Sequence, residues 1–304
     1  IGLTGDDDFH FKVSADGSTW FEGFRIAAAT GKVSFPVSGG PREMLTANRT
    51  YYVRSDGSDA NNGLANTSGG AFLTIQKAID TVANALDLAG CNVTIQVADG
   101  TYTGAATVSA PWVGSGTVTL QGNTTTPGNC ILSTSGTAIT VGAGAGANIE
   151  GSRLLIGGFK ITSSGSSCIQ VGVACLVNVT GAMEYGSAAA AHIAVFQGGT
   201  FIVSANYTIS GSAPQHLSSA TTSSIIYNGR TVTLTGSPVF ASGFASAARM
   251  GQIISSGCTF SGSTGSSSKR YAVATLSLID TSGAGASYFP GDTAGTTDGT
   301  GVYN

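Results

Sequence analysis

The chain has 304 residues, 45 of them Gly, with 10% charged residues, 41% hydrophobic residues, a formal net charge of −3 and a mean hydropathy of +0.22. Gly is about twice its usual ~7% share, yet only 7 Pro occur and Gly does not fall on every third position, so collagen is excluded. A long disordered chain is excluded by the hydropathy. No Lys/Arg cluster exceeds the pair Lys269–Arg270, and no apolar run reaches the ~18 residues of a membrane span, so neither nucleic-acid binding nor membrane insertion is expected.

Residues 1–47 read as a small β segment. In "DFHFKVSADGSTWFEGFRI" a strand, a turn at Asp16-Gly17 and a second strand follow one another, and "AAATGKVSFPV" adds a turn at Gly31 and a third strand. Phe9, Phe11 and Val13 alternate onto one face. So short a segment cannot bury enough surface alone, so it is expected to lean on copies of itself or on another protein. The chain begins without Met, leaving a fragment or a processed product open.

Residues 48–91 contain a strand from Tyr51 to Arg54, a loop rich in Asn, Asp and Gly, and one helix over residues 72–89. Ile75, Ala78, Ile79, Val82 and Leu86 give that helix an apolar face, and Gly90 is its expected stop. From residue 92 to about 280 the chain is a series of short apolar runs separated by Gly, Ser or Asn. Val93-Thr94-Ile95-Gln96 is echoed 25 residues later by Val118-Thr119-Leu120-Gln121. Further runs align on Ile139, Ile169, Ile193, Ile225 and Ile253, at steps of 30, 24, 32 and 28 residues.

A period in this range signals a solenoid or a propeller. Two or three strands per step, and almost no Trp, favour a parallel β-helix, in which each coil stacks on the next and like residues line the interior. Gly and Asn are expected to turn the corners with positive φ. The open end of such a stack needs a cover, and the helix stands at the right place to cap the first coil. The expected architecture is therefore all-β: a parallel β-helix over 92–280, a small N-terminal β domain, one capping helix and a Gly/Thr-rich tail over 281–304.

The stretch "YYVRSDGSDANNGLANTSGGAFLTIQKAID", Tyr51 to Asp80, resembles the opening segment of the pectate-lyase-like right-handed parallel β-helix superfamily. Residues 6–35 are similar to a segment common in tail and spike proteins of phages and phage-like particles, and the end of the chain is similar to their Gly/Thr-rich termini. The resemblance implies a tail fibre, tailspike or head spike, including that of a gene transfer agent. Such a protein would be a homotrimer at the particle surface, assembled in the bacterial cytoplasm, that binds host-surface polysaccharide. Residues 1–47 would meet a particle attachment protein. Some relatives of this type also cleave the polysaccharide.

Hydrolysis of a glycosidic bond usually needs two carboxylates. Between residues 100 and 279 the acids are Glu150 and Glu184, the weak catalytic candidates, which also read as ion-paired side chains near Arg153 and Lys160. A lyase would need a metal-holding acid cluster that the sequence lacks. The loop with Asp56, Asp59, Asn61 and Asn62 reads as turn chemistry, so no metal and no cofactor are expected. His10, His192 and His216 form no ligand motif, and "GAGAGAN" at 142–148 reads as a corner between coils, not as a phosphate loop. The five cysteines, with no C-x-x-C pair, read as small buried hydrophobes. For glycan binding, the candidates are Trp112, Tyr185, Tyr207, His216 and Tyr227, read as exposed loop side chains, with Trp112 in its polar corner the best single one; the same side chains also read as rings packed between coils or subunits.

Overall fold

A computed structural model of the chain describes residues 7–35, 41–142 and 152–304. The chain divides into two compact units, residues 1–44 and 45–304.

The first unit holds an antiparallel meander of three strands, Phe9–Val13, Phe21–Ile26 and Val33–Ser34. The Asp16 carboxylate builds the first hairpin. It accepts from the amides of Ser18 (2.9 Å) and Thr19 (2.7 Å) and from the Ser14 hydroxyl (3.1 Å), while Gly17 takes a φ of 74°. Register places Phe9 opposite Ile26, Phe11 opposite Phe24 and Val13 opposite Phe21, with Val33 beside Ile26, so one face is wholly apolar. The Phe11 and Phe24 rings stack at 5.2 Å, and Phe35 lies 6.0 Å from Phe24. The other face carries His10 opposite Arg25 and Lys12 opposite Glu22.

The second unit is a parallel β-helix. Among the described residues three parallel sheets of ten, seven and eight strands run along it: sheet I from Arg49–Val53 to Val302–Tyr303, sheet II from Gly100–Tyr102 to Thr259–Ser261, and sheet III from Ala106–Val108 to Thr296–Thr297. The echo at Val93 and Val118 is a true register: Val93 to Gln96 pair residue for residue with Val118 to Gln121. Inward ladders follow from strict alternation. In sheet I, Val93, Val118, Leu154, Val177, Phe201, Ile225, Ile253 and Ile279 stack in one column, all fully buried.

The alignment on five Ile residues needs correction. Ile139, Ile169 and Ile193 are partners in sheet III, whereas Ile225 and Ile253 are partners in sheet I. Leu217 is the residue that continues the first column after Ile193. All three sheets present aliphatic residues inward, so a pattern of Ile alone cannot say which wall it belongs to. The residues after 280 likewise do more than trail: Thr296–Thr297 and Val302–Tyr303 pair with sheets III and I and extend the stack.

The corner from sheet III to sheet I is turned largely without Gly or Asn. Left-handed residues recur there in successive coils: Val173 and Ala174, Gln197, Thr221 and Thr222, Arg249 and Met250, Thr275 and Leu276. Left-handed backbone disfavours residues with a Cβ. Here each turn is held by the next: the amides of Ala174, Gly198, Thr222 and Met250 donate to the carbonyls of Gln197, Thr221, Arg249 and Thr275 at 3.0–3.2 Å. Glycine is needed at Gly158, where φ is 86° and a Cβ would lie 2.6 Å from the Gly122 backbone of the neighbouring coil.

The helix, α1, runs from Ile75 to Ala85, shorter than the periodicity suggests. At its start Phe72 is engaged as a strand, its amide donating to Tyr52 and its carbonyl accepting from Arg54. Asp59 then accepts from the amides of Leu73 and Thr74 (both 2.9 Å), setting Thr74 as N-cap. At its end Leu86 is already extended, because Leu45 donates to the Asp87 carbonyl and Leu88 donates to the Val113 carbonyl. Gly90 turns the chain only afterwards, with a φ of 89°. The face of Ile75, Ala78, Ile79 and Val82 is buried as expected. The helix also seals sheet III. The Gln76 side-chain amide donates to the Thr107 carbonyl (3.0 Å) and accepts from the Thr107 amide (2.7 Å), replacing the missing neighbour of the first strand.

Candidate functional site

The outward column of sheet II carries a continuous run of polar residues over five coils. Alternation turns Lys160, Glu184, Thr208, Thr233 and Ser261 outward while Ile161, Tyr185, Ile209 and Val232 point in. The five outward residues are direct register partners, one per coil. Their spacing is therefore that of the strands, ~4.8 Å.

At the centre Lys160 Nζ meets Glu184 Oε1 at 2.7 Å, and the Ser210 hydroxyl donates to the same oxygen at 2.5 Å. Burial pushes the Glu184 carboxyl up, but the hydrogen bonds from Lys160 and Ser210 and the Lys160 charge outweigh it and hold the group below its usual range. On one side lies a hollow of about 300 Å³ lined by the polar residues Thr125, Glu184, Asn206, Thr208, Thr231 and Thr233 together with Pro127, Ala182, Met183 and the little-exposed Tyr207. A second hollow of about 420 Å³ is lined almost entirely by hydroxyls, among them Ser133, Ser135, Thr162, Ser164 and Ser187. Thr162 donates to Ser133 at 2.9 Å, and Thr231 and Thr259 bond at 3.0 Å, so neighbouring coils order each other's hydroxyls.

The arrangement presents hydrogen-bond donors and acceptors in a line along the stack. A general acid needs a carboxyl with a raised pKa, and Glu184 is lowered. A glycosidase also needs a second carboxylate across the groove; none lines either hollow among the described residues. Glu150, the expected second member, lies outside the described residues, as do residues 143–148 of the Gly/Ala run. No group of three or more potential metal ligands occurs among the described residues. Asp59 serves as helix cap, Asn61 donates to the Ser68 and Ala71 carbonyls, and Asn62 accepts from the Leu64 amide, so that loop does turn chemistry.

The expectation that Tyr185, Tyr207, His216 and Tyr227 stand exposed is corrected: they are 1%, 4%, 0% and 0% exposed. Each occupies an inward position of its strand, in one internal cluster with His192, Phe240 and Phe244. His192 and His216 approach through their Nδ1 atoms at 3.0 Å, and the Tyr207 hydroxyl meets His216 Nε2 at 2.7 Å. Burial pushes His192 down to about 4 and His216 further below its ordinary range, with the neighbouring His192 adding to it. These rings hold coils together and cannot touch a glycan. Trp112 is half-buried at the corner between sheets III and I, away from the sheet II column, with its indole N–H donating to the Arg153 carbonyl at 2.9 Å. Sequence reasoning missed Thr208, Ser210 and Thr233. Thr208 and Thr233 do carry a signal, a Thr between two apolar residues repeated at the 25-residue register step of this sheet, whereas Ser210, followed by Gly211, carries none.

No family profile, characterised protein or solved structure matches the chain. The class that the fold itself defines is a parallel β-helix with a capping helix.

Proposed function

We propose that this chain is a structural and receptor-binding subunit of a spike or fibre on a phage or phage-like particle, a gene transfer agent included. It adheres to host-surface polysaccharide as a homotrimer, with residues 1–47 serving alignment and attachment. The observation that carries the reading is the sheet II column: single-file hydroxyls with one ion pair, flanked by two open hollows, one lined by Ser and Thr and the other by mixed polar and apolar residues, on a stack of coils. An extended chain of sugar hydroxyls finds repeated donors and acceptors there, and the lone lowered carboxylate supports binding over cleavage.

The test is titration of the chain with host capsule or lipopolysaccharide. Saturable binding without release of reducing ends or unsaturated uronates is expected, and Thr208→Val with Thr233→Val weakens it about tenfold by removing hydroxyls that would pair in the complex. Released sugar ends that persist in wild type and vanish in Glu184→Gln or Glu150→Gln establish a depolymerase instead. Neither binding nor release, with firm particle incorporation, reduces the chain to a shaft.

A further inference from the structure

The three-stranded N-terminal sheet is inside out. Its polar face is satisfied by pairing: His10 is 7% exposed and contacts Glu22 at 2.9 Å, and Arg25, 43% exposed, pairs with Asp8 at 3.0 Å. Its apolar face is bare: Phe21 is 61% exposed, Val13 51% and Phe11 38%. Three strands are stable in water only with a buried apolar face, and units this short need disulfides, metals or a partner. The first cysteine of the chain is Cys91, outside the unit, and no metal-ligand cluster occurs among the described residues. A partner remains.

We infer that copies of this chain cover one another's aromatic faces, three sheets closing on a common axis. This rests on the homotrimer reading above and names its N-terminal contact. Area argues for copies over a foreign protein. Three strands ~4.8 Å apart with three rows of side chains ~7 Å apart make a face of roughly 300 Å², against ~800 Å² per partner in a standard interface. A free partner gains too little from such a face. A copy tethered to an associating β-helix arrives at high effective concentration and needs no more. Shape argues for three. Three strands are ~14 Å wide, and three such walls enclose a prism whose axis lies ~4–5 Å from each wall, about half the ~10 Å between packed sheets. Phe11, Phe24 and Phe35 form the middle row that would fill it, and among the described residues no charged one lies on this face.

Single cysteines in the full chain test this: Phe21→Cys and Val13→Cys on the aromatic face, Lys12→Cys and Ser34→Cys on the other. Light scattering of the native protein gives its mass, and a short bis-maleimide reports which positions meet between copies, with unsubstituted chain as background. The expected result is three times the 30.2 kDa chain mass, with crosslinking at positions 21 and 13 about tenfold above that at 12 and 34, from the proximity that tethering enforces. A trimer that crosslinks at 34 or 12 and not at 21 or 13 overturns the inference and leaves the homotrimer standing. A two-chain mass overturns the three-sided arrangement. A single-chain mass overturns the homotrimer reading itself, and the inference with it.

Discussion

The N-terminal sheet and the β-helix begin from the same device and end differently. In both, alternation sorts apolar side chains to one face of each strand. In the β-helix the chain returns every 23–44 residues to lay the next strand on the last, as from Leu154 to Val177 or, by way of α1, from Arg49 to Val93, and three walls close around the apolar faces. Phe201, Phe240 and Phe244 are fully buried as a result. The N-terminal meander has one wall, and Phe21 stays 61% exposed. The difference teaches that closure, not composition, decides whether an aromatic residue stabilises this chain by itself.

The sharpest test of that contrast is the same truncation in both regions. Phe201 sits in register between Val177 and Ile225, and Phe201→Ala should cost about 3–5 kcal/mol in urea unfolding of the β-helix. Phe21→Ala should shift that transition by no more than about 0.5 kcal/mol. Equal costs would break the contrast.

Next in size is an acid effect confined to the β-helix core. His192 and His216 are buried and neutral, His192 with a pKa of about 4 against an ordinary 6.5. Above pH 6.5 neither state takes up the proton and stability is complete. Between 6.5 and 4 the unfolded chain binds protons that the folded chain refuses, so stability falls as pH falls, by on the order of 3 kcal/mol near pH 4. Urea midpoints at pH 7.5 and pH 4.5 read this, and His192→Leu with His216→Leu should remove most of the slope in that window. Gln76→Ala ranks third. It leaves both backbone groups of Thr107 without their side-chain partner at the end of sheet III and should cost about 1–3 kcal/mol. Hydrogen exchange at Thr107 should rise while exchange at Ile225 does not.

What the sequence made legible follows from the same physics. Alternation and the helical apolar face depend on neighbours in the chain, so the three N-terminal strands, the buried face of α1 and the Val93/Val118 echo could be read directly. The assignment of Ile193 and Ile225 to different walls could not, because it depends on what turns the corner between them. That corner is made at Thr221 and Thr222, β-branched residues in left-handed backbone, held by the turn of the next coil. No local preference announces such a turn. The site was half legible for the same reason. The pairing of Glu184 with Lys160 was readable as charge, but the inward direction of Tyr185, Tyr207, His216 and Tyr227 was not. A polar-tipped ring with a small or polar neighbour, such as Gly186, Asn206, Gln215 or Asn228, looks like a loop residue until its strand is known to have partners on both sides, and the hydroxyl column appears only when coils are stacked.

The smallest expected effect returns to the N-terminal sheet. Asp16 is fully exposed, yet the amides of Thr19 and Ser18 and the Ser14 hydroxyl hold its carboxyl well below the usual range. A depressed folded pKa means that the hairpin keeps this support at neutral pH and loses it only in strong acid. Asp16→Asn keeps an acceptor oxygen and should leave amide exchange at Ser18 and Thr19 nearly unchanged, whereas Asp16→Ala removes it and should speed both several-fold. The urea transition of the β-helix should not move in either variant, since its coils are held by partners above and below. If Asp16→Ala also lowered that transition, the two regions would not be stabilised separately, and the contrast between walls that close on one another and a single wall with its apolar face open would fail at its simplest point.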